Sequence, residues 1–414
     1  MTEIAKESIG PAASGYRYTR ADHRRSEARR FVLRLVIVVG VPILQAMAAG
    51  EIVFWRLADG FIPDAIARRL HDRPDEAWIG SEALYPAIKV AGAQLARPDV
   101  LALGASREGQ FRSAMFKPYS FYNAGMAYWS FARLLDMLKL ISARRQPRVI
   151  IVSIDYLNFQ NREVERRDAM EAGTLLQCPA RCANWDALNW LPYALKIHPL
   201  DTAMSVGKQM IGLPAGEFDA FKLFGLTTVP DENAFLHDGS MHYLADYIAN
   251  APAPVTSALL HALAEFDKSD QLNAGQLGQL RDLAQYARRH GIAVIGVQLP
   301  FDLRRLELSR PTGDNTGNPD SIWRIFERSE TRDLIESMGI TFVDLTGLPE
   351  AANSQAFVDA FHPGEYLVLA SLIAMLKDPR IGKLLPDIDL GALEKRKIVA
   401  ESARNYFNVY GHEF

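Results

Sequence analysis

Short apolar runs that alternate with helical patterns constrain this chain more than any other feature. Asp99–Gly104 reads as a buried strand after Pro98, and Tyr122–Gly125 as the end of a second. Pro147–Ile154 is a third, so continuously apolar that both of its faces must be covered. Ile292–Leu299, stopped by Pro300, and Ile340–Leu345 complete the series. Helical patterns separate them: Leu84–Leu95, a stretch from Arg107, Trp129–Ala143, Gln276–His290, Ser321–Met338 and Glu365–Leu376. Gly291 and Gly339 follow two of these as left-handed caps. Strands alternating with helices in this way predict a three-layer α/β fold with a parallel sheet. In such sheets ligands bind beyond the carboxyl ends of the strands. Ser106, Asn123, Gly125, Asp155 and the Asp359/His362 pair all fall just after predicted strands.

With 414 residues, 49% hydrophobic and 23% charged, the chain can bury a large core and is not of a disordered type. A formal net charge of -3 gives no global attraction to nucleic acid. The two cysteines, Cys178 and Cys182, cannot make a disulfide framework and belong to no zinc-spaced set. They either close a small loop disulfide or stay as two thiols.

The N-terminus is distinctive. Residues 1–30 form a basic arm containing Lys6, Arg17, Arg20, Arg24, Arg25, Arg29 and Arg30. Phe31–Trp55 is then long and apolar enough for one tilted transmembrane helix, with Pro42 as a kink. The arginines hold the arm in the cytoplasm and export the remainder. A cleaved signal peptide, using the small residues Ala46-Met47-Ala48, is the alternative. Residues 56–96 read as a helical juxtamembrane segment, 97–380 as the main domain, 160–255 as an insertion covering the site, and 381–414 as a C-terminal tail.

The chemistry concentrates in two short motifs. In Asp359-Ala360-Phe361-His362-Pro363 a carboxylate precedes a histidine by three residues, close enough to fix its tautomer and stabilise its charged form. In Leu101–Arg107 a strand ends in a small-residue turn carrying Ser106. At the start of a helix its amide favours developing negative charge, which suits an acyl-transfer oxyanion. A plain N-cap serine is the other reading of Ser106.

These motifs resemble the SGNH/GDSL hydrolase superfamily. Gly104-Ala105-Ser106-Arg107 looks like its serine block, Asn123-Ala124-Gly125 is similar to its glycine block, and Asp359–Pro363 matches its closing Asp-x-x-His block. The third block departs: Asp155, in Ser153–Asn158, stands where the family has asparagine. The anchored branch, with alginate O-acetyltransferase-like and D-alanyl-teichoic-acid transfer proteins, is the nearer likeness. The resemblance implies a flavodoxin-like sheet of the SGNH hydrolase type and a catalytic triad of Ser106, His362 and Asp359. It implies an oxyanion hole from Ser106, Gly125 and Asn123, with no metal and no cofactor. It also implies single-pass attachment to a bacterial inner membrane with a periplasmic domain, a polysaccharide substrate and a membrane-bound O-acyltransferase as partner. A catalytically silent glycan-binding or scaffolding subunit, and a lipid esterase, are the competing functions.

Arg107, Asp155 and Trp185 are candidate substrate contacts. Arg107 otherwise forms an ion pair with Glu108 or Asp155, and Trp185, Trp190 and Tyr193 otherwise pack the insertion. His237 and His242 have the look of metal ligands but lack a third, so the segment around Asp238 reads as a solvated turn.

Overall fold

A computed structural model describes residues 20–40, 62–79, 84–160, 225–227, 234–243, 271–302, 322–359 and 361–411, with a few single positions between 164 and 208. The chain divides into two units, 1–57 and 58–414. The first contains the helix Arg20–Leu35 and a wider helical turn, Val36–Gly40. Phe31, Val32, Leu33 and Val36 to Val39 are exposed on it. Among the described residues no helix is long and apolar enough to cross a membrane. Residues 41–55 of the expected span, including Ala46–Ala48, lie outside the described residues.

The second unit is an α/β domain built on a five-stranded, all-parallel sheet. Its strands are β1 (Val100–Leu103), β2 (Phe121–Ala124), β3 (Val149–Ser153), β4 (Ala293–Gln298) and β5 (Thr341–Asp344). Their order is β2-β1-β3-β4-β5. The direction of winding therefore reverses beside β1, and β1 and β3 flank a topological switch point. Register aligns the strand ends: Leu103 lies opposite Ala124 and Val152, and Ser153 opposite Val297.

Alternate residues feed two cores. Leu101, Leu103, Ile150, Val152 and Val294 face the helices Tyr85–Ala96, Phe131–Ser142 and Ala274–Arg289, meeting Val90, Leu134, Met137, Leu280 and Leu283. Val100, Ala102, Val149, Ile151, Ile295 and Val297 face Glu365–Lys377 and Leu390–Ser402, meeting Leu367, Leu369, Leu372 and Leu393. Strands buried on both faces explain the unbroken apolar runs in the sequence. The helices start where side chains cap them: Asn273 Oδ1 accepts the Gln276 amide at 2.9 Å, and Asp389 Oδ1 that of Ala392 at 2.9 Å. Gly291 (φ 67°) and Gly339 (φ 90°) end two of them in the left-handed region.

Three local expectations change. The stretch after Arg107 is a five-residue 3-10 turn, Ser106–Gln110, too short to carry a helix dipole of consequence. Ser321–Met338 is two helices, Ile322–Glu327 and Ser329–Ser337, with Arg328 extended between them. Residues beyond 380 belong to the core, where Ile381, Leu385, Leu393, Val409 and Tyr410 are buried. A small antiparallel sheet brings Gly225–Thr227, Ala234–Phe235 and Met241–His242 of the expected insertion together with Ala77–Ile79. Trp78 stacks on Phe235 in its core, and Tyr85 meets both rings edge-on.

The parallel core is closely filled at Gly296 in β4. A β-carbon there would lie 2.7 Å from Ile154 Cδ1 and 2.9 Å from Ile340 Cγ2. Gly296→Ala is expected to destabilise the fold by about 1–3 kcal/mol through overpacking. Urea unfolding of the two chains checks this, and an unchanged midpoint would show that the Ile154 and Ile340 side chains can give way.

Candidate active site

Gly104 lets β1 end abruptly. Its φ is 154°, and a β-carbon would come within 2.6 Å of the Glu108 carboxyl. The chain then turns through Ala105 into Ser106, which is half-buried. The loop after β2 grips this turn from the side. Met126 N–H donates to Ala105 O at 2.6 Å and Ala127 N–H to Gly104 O at 3.3 Å. Met126 is held at φ 61°, an unfavourable value for a side chain of its kind.

Asp359, Phe361 and His362 lie between Phe357 and Pro363, which a bridge joins, and His362 faces Ser106. Asp359 organises this segment. Its Oδ1 accepts the amides of Phe361 and His362 at 2.7 and 2.8 Å, and its Oδ2 accepts His362 Nδ1–H at 2.7 Å. Burial works against the Asp359 charge, but the hydrogen bond and charge of His362 outweigh it, and the carboxyl falls to about 2. An ionised carboxylate can only accept, so Nδ1 carries the ring proton. The lone pair of Nε2 is then left for Ser106, whose Oγ lies 2.7 Å away. The described structure thus brings Ser106, His362 and Asp359, from opposite ends of the sequence, into one relay at the carboxyl ends of the strands. This arrangement has the geometry in which a histidine can take a serine's proton and a carboxylate can stabilise the imidazolium.

The other expected site residues take different places. Asn123 is fully buried and spends both amide hydrogens on backbone, at Glu108 O (2.7 Å) and Phe111 O (2.9 Å). Its Oδ1 accepts the Gly125 amide at 2.9 Å. Asn123 therefore braces the serine turn against β2, and both it and Gly125 are engaged as donors within the protein. The Ser106 amide begins the 3-10 turn, where an N–H has no partner inside the turn.

Arg107 and Asp155 are buried and face each other instead of a ligand. Arg107 Nη1 donates to Asp155 Oδ2 at 2.7 Å, and Ser153 Oγ donates to the same oxygen at 3.2 Å. The remaining Arg107 donors reach Leu299 O (2.5 Å), Pro300 O (2.8 Å) and Phe361 O (3.1 Å). Asp155 is thus a counter-ion, which gives a physical reason for a carboxylate where the resemblance implies asparagine. Trp185, Trp190, Tyr193, Cys178 and Cys182 lie outside the described residues.

The turn at His237–Ser240 is packed in, not solvated: Asp238, Gly239 and Ser240 are buried. Asp238 O accepts the Asn123 amide at 2.7 Å, and Asp238 Oδ2 accepts that of Ser113 at 2.7 Å. Gln110 Nε2 donates to Met241 O at 2.7 Å, so this part of the insertion flanks the serine turn. Among the described residues no cluster of His, Cys, Asp or Glu could hold a metal ion.

Two buried titratable groups lie near the site: Lys89, not singled out in the sequence, and Glu108, named there only as a possible partner of Arg107. Lys89, in the middle of an apolar helix, donates from Nζ to the carbonyls of Asn123 and Gly239; burial lowers it to about 7, against the pull of Asp238. Its place between Ile88 and Val90 was the available signal. Glu108 is fully buried under Gly104, with no well-formed hydrogen bond to its carboxyl oxygens. Burial, helped by the Asp155 charge, pushes its carboxyl well above the ordinary range, which favours the protonated form.

Comparison with known protein families, with characterised proteins and with solved structures finds no match to this chain.

The Glu108 carboxyl has a consequence for stability. In the unfolded chain it ionises near the usual ~4.3, whereas in the fold it stays protonated to higher pH. The wild type therefore loses stability as pH rises above that range, by linkage. Glu108→Gln cannot ionise, so its stability relative to the wild type is expected to rise steadily from about pH 4 upward. Denaturant unfolding across this range measures the difference, and parallel curves would show that Glu108 is ionised in the fold.

Proposed function

We propose that this chain is a serine-dependent O-acyltransferase or esterase of the SGNH type, acting on a cell-envelope or exported polysaccharide. The observation that carries the reading is the Ser106–His362–Asp359 relay, with both heavy-atom distances at 2.7 Å. The strand order β2-β1-β3-β4-β5, which is the flavodoxin-like order, supports it, because Ser106 and Asp155 follow the two strands that flank the switch point.

In the proposed reaction His362 Nε2 takes the Ser106 proton as Oγ attacks the acyl carbonyl. The Ser106 amide stabilises the tetrahedral oxyanion. As the C–O bond to the donor breaks, His362 returns the proton to the leaving oxygen, and an acyl-enzyme remains. A sugar hydroxyl or water, deprotonated by His362, then attacks the ester, and as the bond to Oγ breaks His362 returns the proton to Ser106. We further propose that the arginine-rich arm and the apolar residues after it anchor the chain in a bacterial inner membrane. The domain would then lie in the periplasm, and a membrane-bound O-acyltransferase could pass it the acyl group.

One observation favours a second reading, a catalytically silent glycan-binding or scaffolding subunit. The Gly125 amide and the Asn123 side chain, which an oxyanion hole would use, are already bonded to each other. Turnover separates the two. With p-nitrophenyl acetate, the Ser106→Ala and His362→Ala variants are each expected to lose roughly 10⁴-fold in kcat, with the circular dichroism spectrum unchanged. Turnover by the wild type that survives both substitutions, or none in the wild type, would favour the silent subunit.

A further inference from the structure

The two halves of the relay are far apart in sequence, and no covalent constraint sets the distance between them. Arg107 directly follows Ser106, and its guanidinium reaches the carbonyl of Phe361, directly before His362 (3.1 Å). The same group holds Leu299 O and Pro300 O, after β4, and Asp155, after β3. Phe301 completes the arrangement. Its ring lies 3.6 Å beneath the guanidinium and meets the Phe361 ring edge-on, with centroids 6.1 Å apart. Both the backbone and the side chain of Phe361 are therefore tied to the group that adjoins the nucleophile.

We propose that Arg107 is a positioning residue that sets the Ser106–His362 distance by clamping the histidine loop to the serine turn. This rests on the serine-nucleophile reading for its kinetic consequence, but its structural claim concerns the two side chains alone. A guanidinium is suited to the task because its planar fork offers donors in several fixed directions. A lysine keeps the charge yet cannot reach the carbonyls of Phe361, Leu299 and Pro300 with fixed geometry. Asp155 compensates the charge, so the clamp can be fully buried.

The test uses the full chain and reads the imidazole directly. The ¹⁵N chemical shift of His362 Nε2 differs between a ring bonded to Ser106 and one that is not, and Ser106→Ala supplies the unbonded value. Arg107→Lys is expected to move the shift to the Ser106→Ala value. Leu283→Ala, a core variant on the helix Ala274–Arg289, which carries none of the site residues, is expected to lower stability and keep the wild-type shift. Arg107→Lys is also expected to lower kcat for p-nitrophenyl acetate roughly 10²-fold, with KM changed by no more than about twofold.

A wild-type shift in Arg107→Lys would overturn the proposal, as would equal displacement in Leu283→Ala. Equal shifts in the wild type and Ser106→Ala would overturn it together with the relay. If Arg107→Lys does not fold, Phe301→Leu, which keeps every charge, is expected to displace the shift in the same direction, and a wild-type value there overturns the proposal. If the wild type turns over no ester while the shifts behave as expected, the enzyme reading fails and the clamp stands.

Discussion

A buried guanidinium must have partners for its donors, and the arrangement around Ser106 follows from that requirement. Arg107 is 1% exposed, and its ion-pair partner Asp155 is 2% exposed. Leaving such a charge without its counter-ion costs about 3–5 kcal/mol. The ends of β3 and β4 and the loop before His362 are therefore drawn toward the serine turn at the end of β1. Parallel strands in register make this possible, since their carboxyl ends lie side by side. The charge that fixes the site is hidden beneath it, and the surface is left to Ser106, His362 and Asp359, each of which is partly exposed.

Much of the fold was legible in the sequence because burial on both faces leaves a continuous apolar signature. Val149–Ile154 and Ile292–Leu299 could be read as strands for that reason, and Gly291 and Gly339 marked helix ends through their backbone freedom. Ser106 and the Asp359/His362 pair were legible because a small-residue turn after a strand, and a carboxylate three residues before a histidine, are local patterns. The Arg107–Asp155 ion pair was read only as one alternative, and the backbone bonds of Asn123 and Arg107 were not read at all, since they depend on partners distant in sequence. Asn123 bonds to Glu108 and Phe111, and Arg107 to Leu299, Pro300 and Phe361. No periodicity records such pairings. The break at Arg328 within an otherwise helical pattern was likewise invisible, because no glycine or proline marks it.

Two carboxyls near Ser106 meet opposite surroundings. The hydrogen bond and charge of His362 hold the Asp359 carboxyl low, while burial and the Asp155 charge push the carboxyl of Glu108, within the serine turn, upward. One carboxyl thus favours its charged form beside His362, and the other its protonated form beneath Gly104. Environment, not residue type, separates the two roles, as happens where paired carboxyls serve acid–base chemistry. On this account the Ser106 amide is the donor most directly available to a developing oxyanion, with Gly125 held in reserve by Asn123.

The central claim is that Ser106 forms a covalent ester through His362. Intact-mass and peptide analysis after brief reaction with p-nitrophenyl acetate and acid quenching tests it most directly. The account requires one acetyl group on the peptide carrying Ser106 in the wild type, and none in His362→Ala. An unmodified wild-type chain, or acetylation at Ser106 that does not depend on His362, would contradict it.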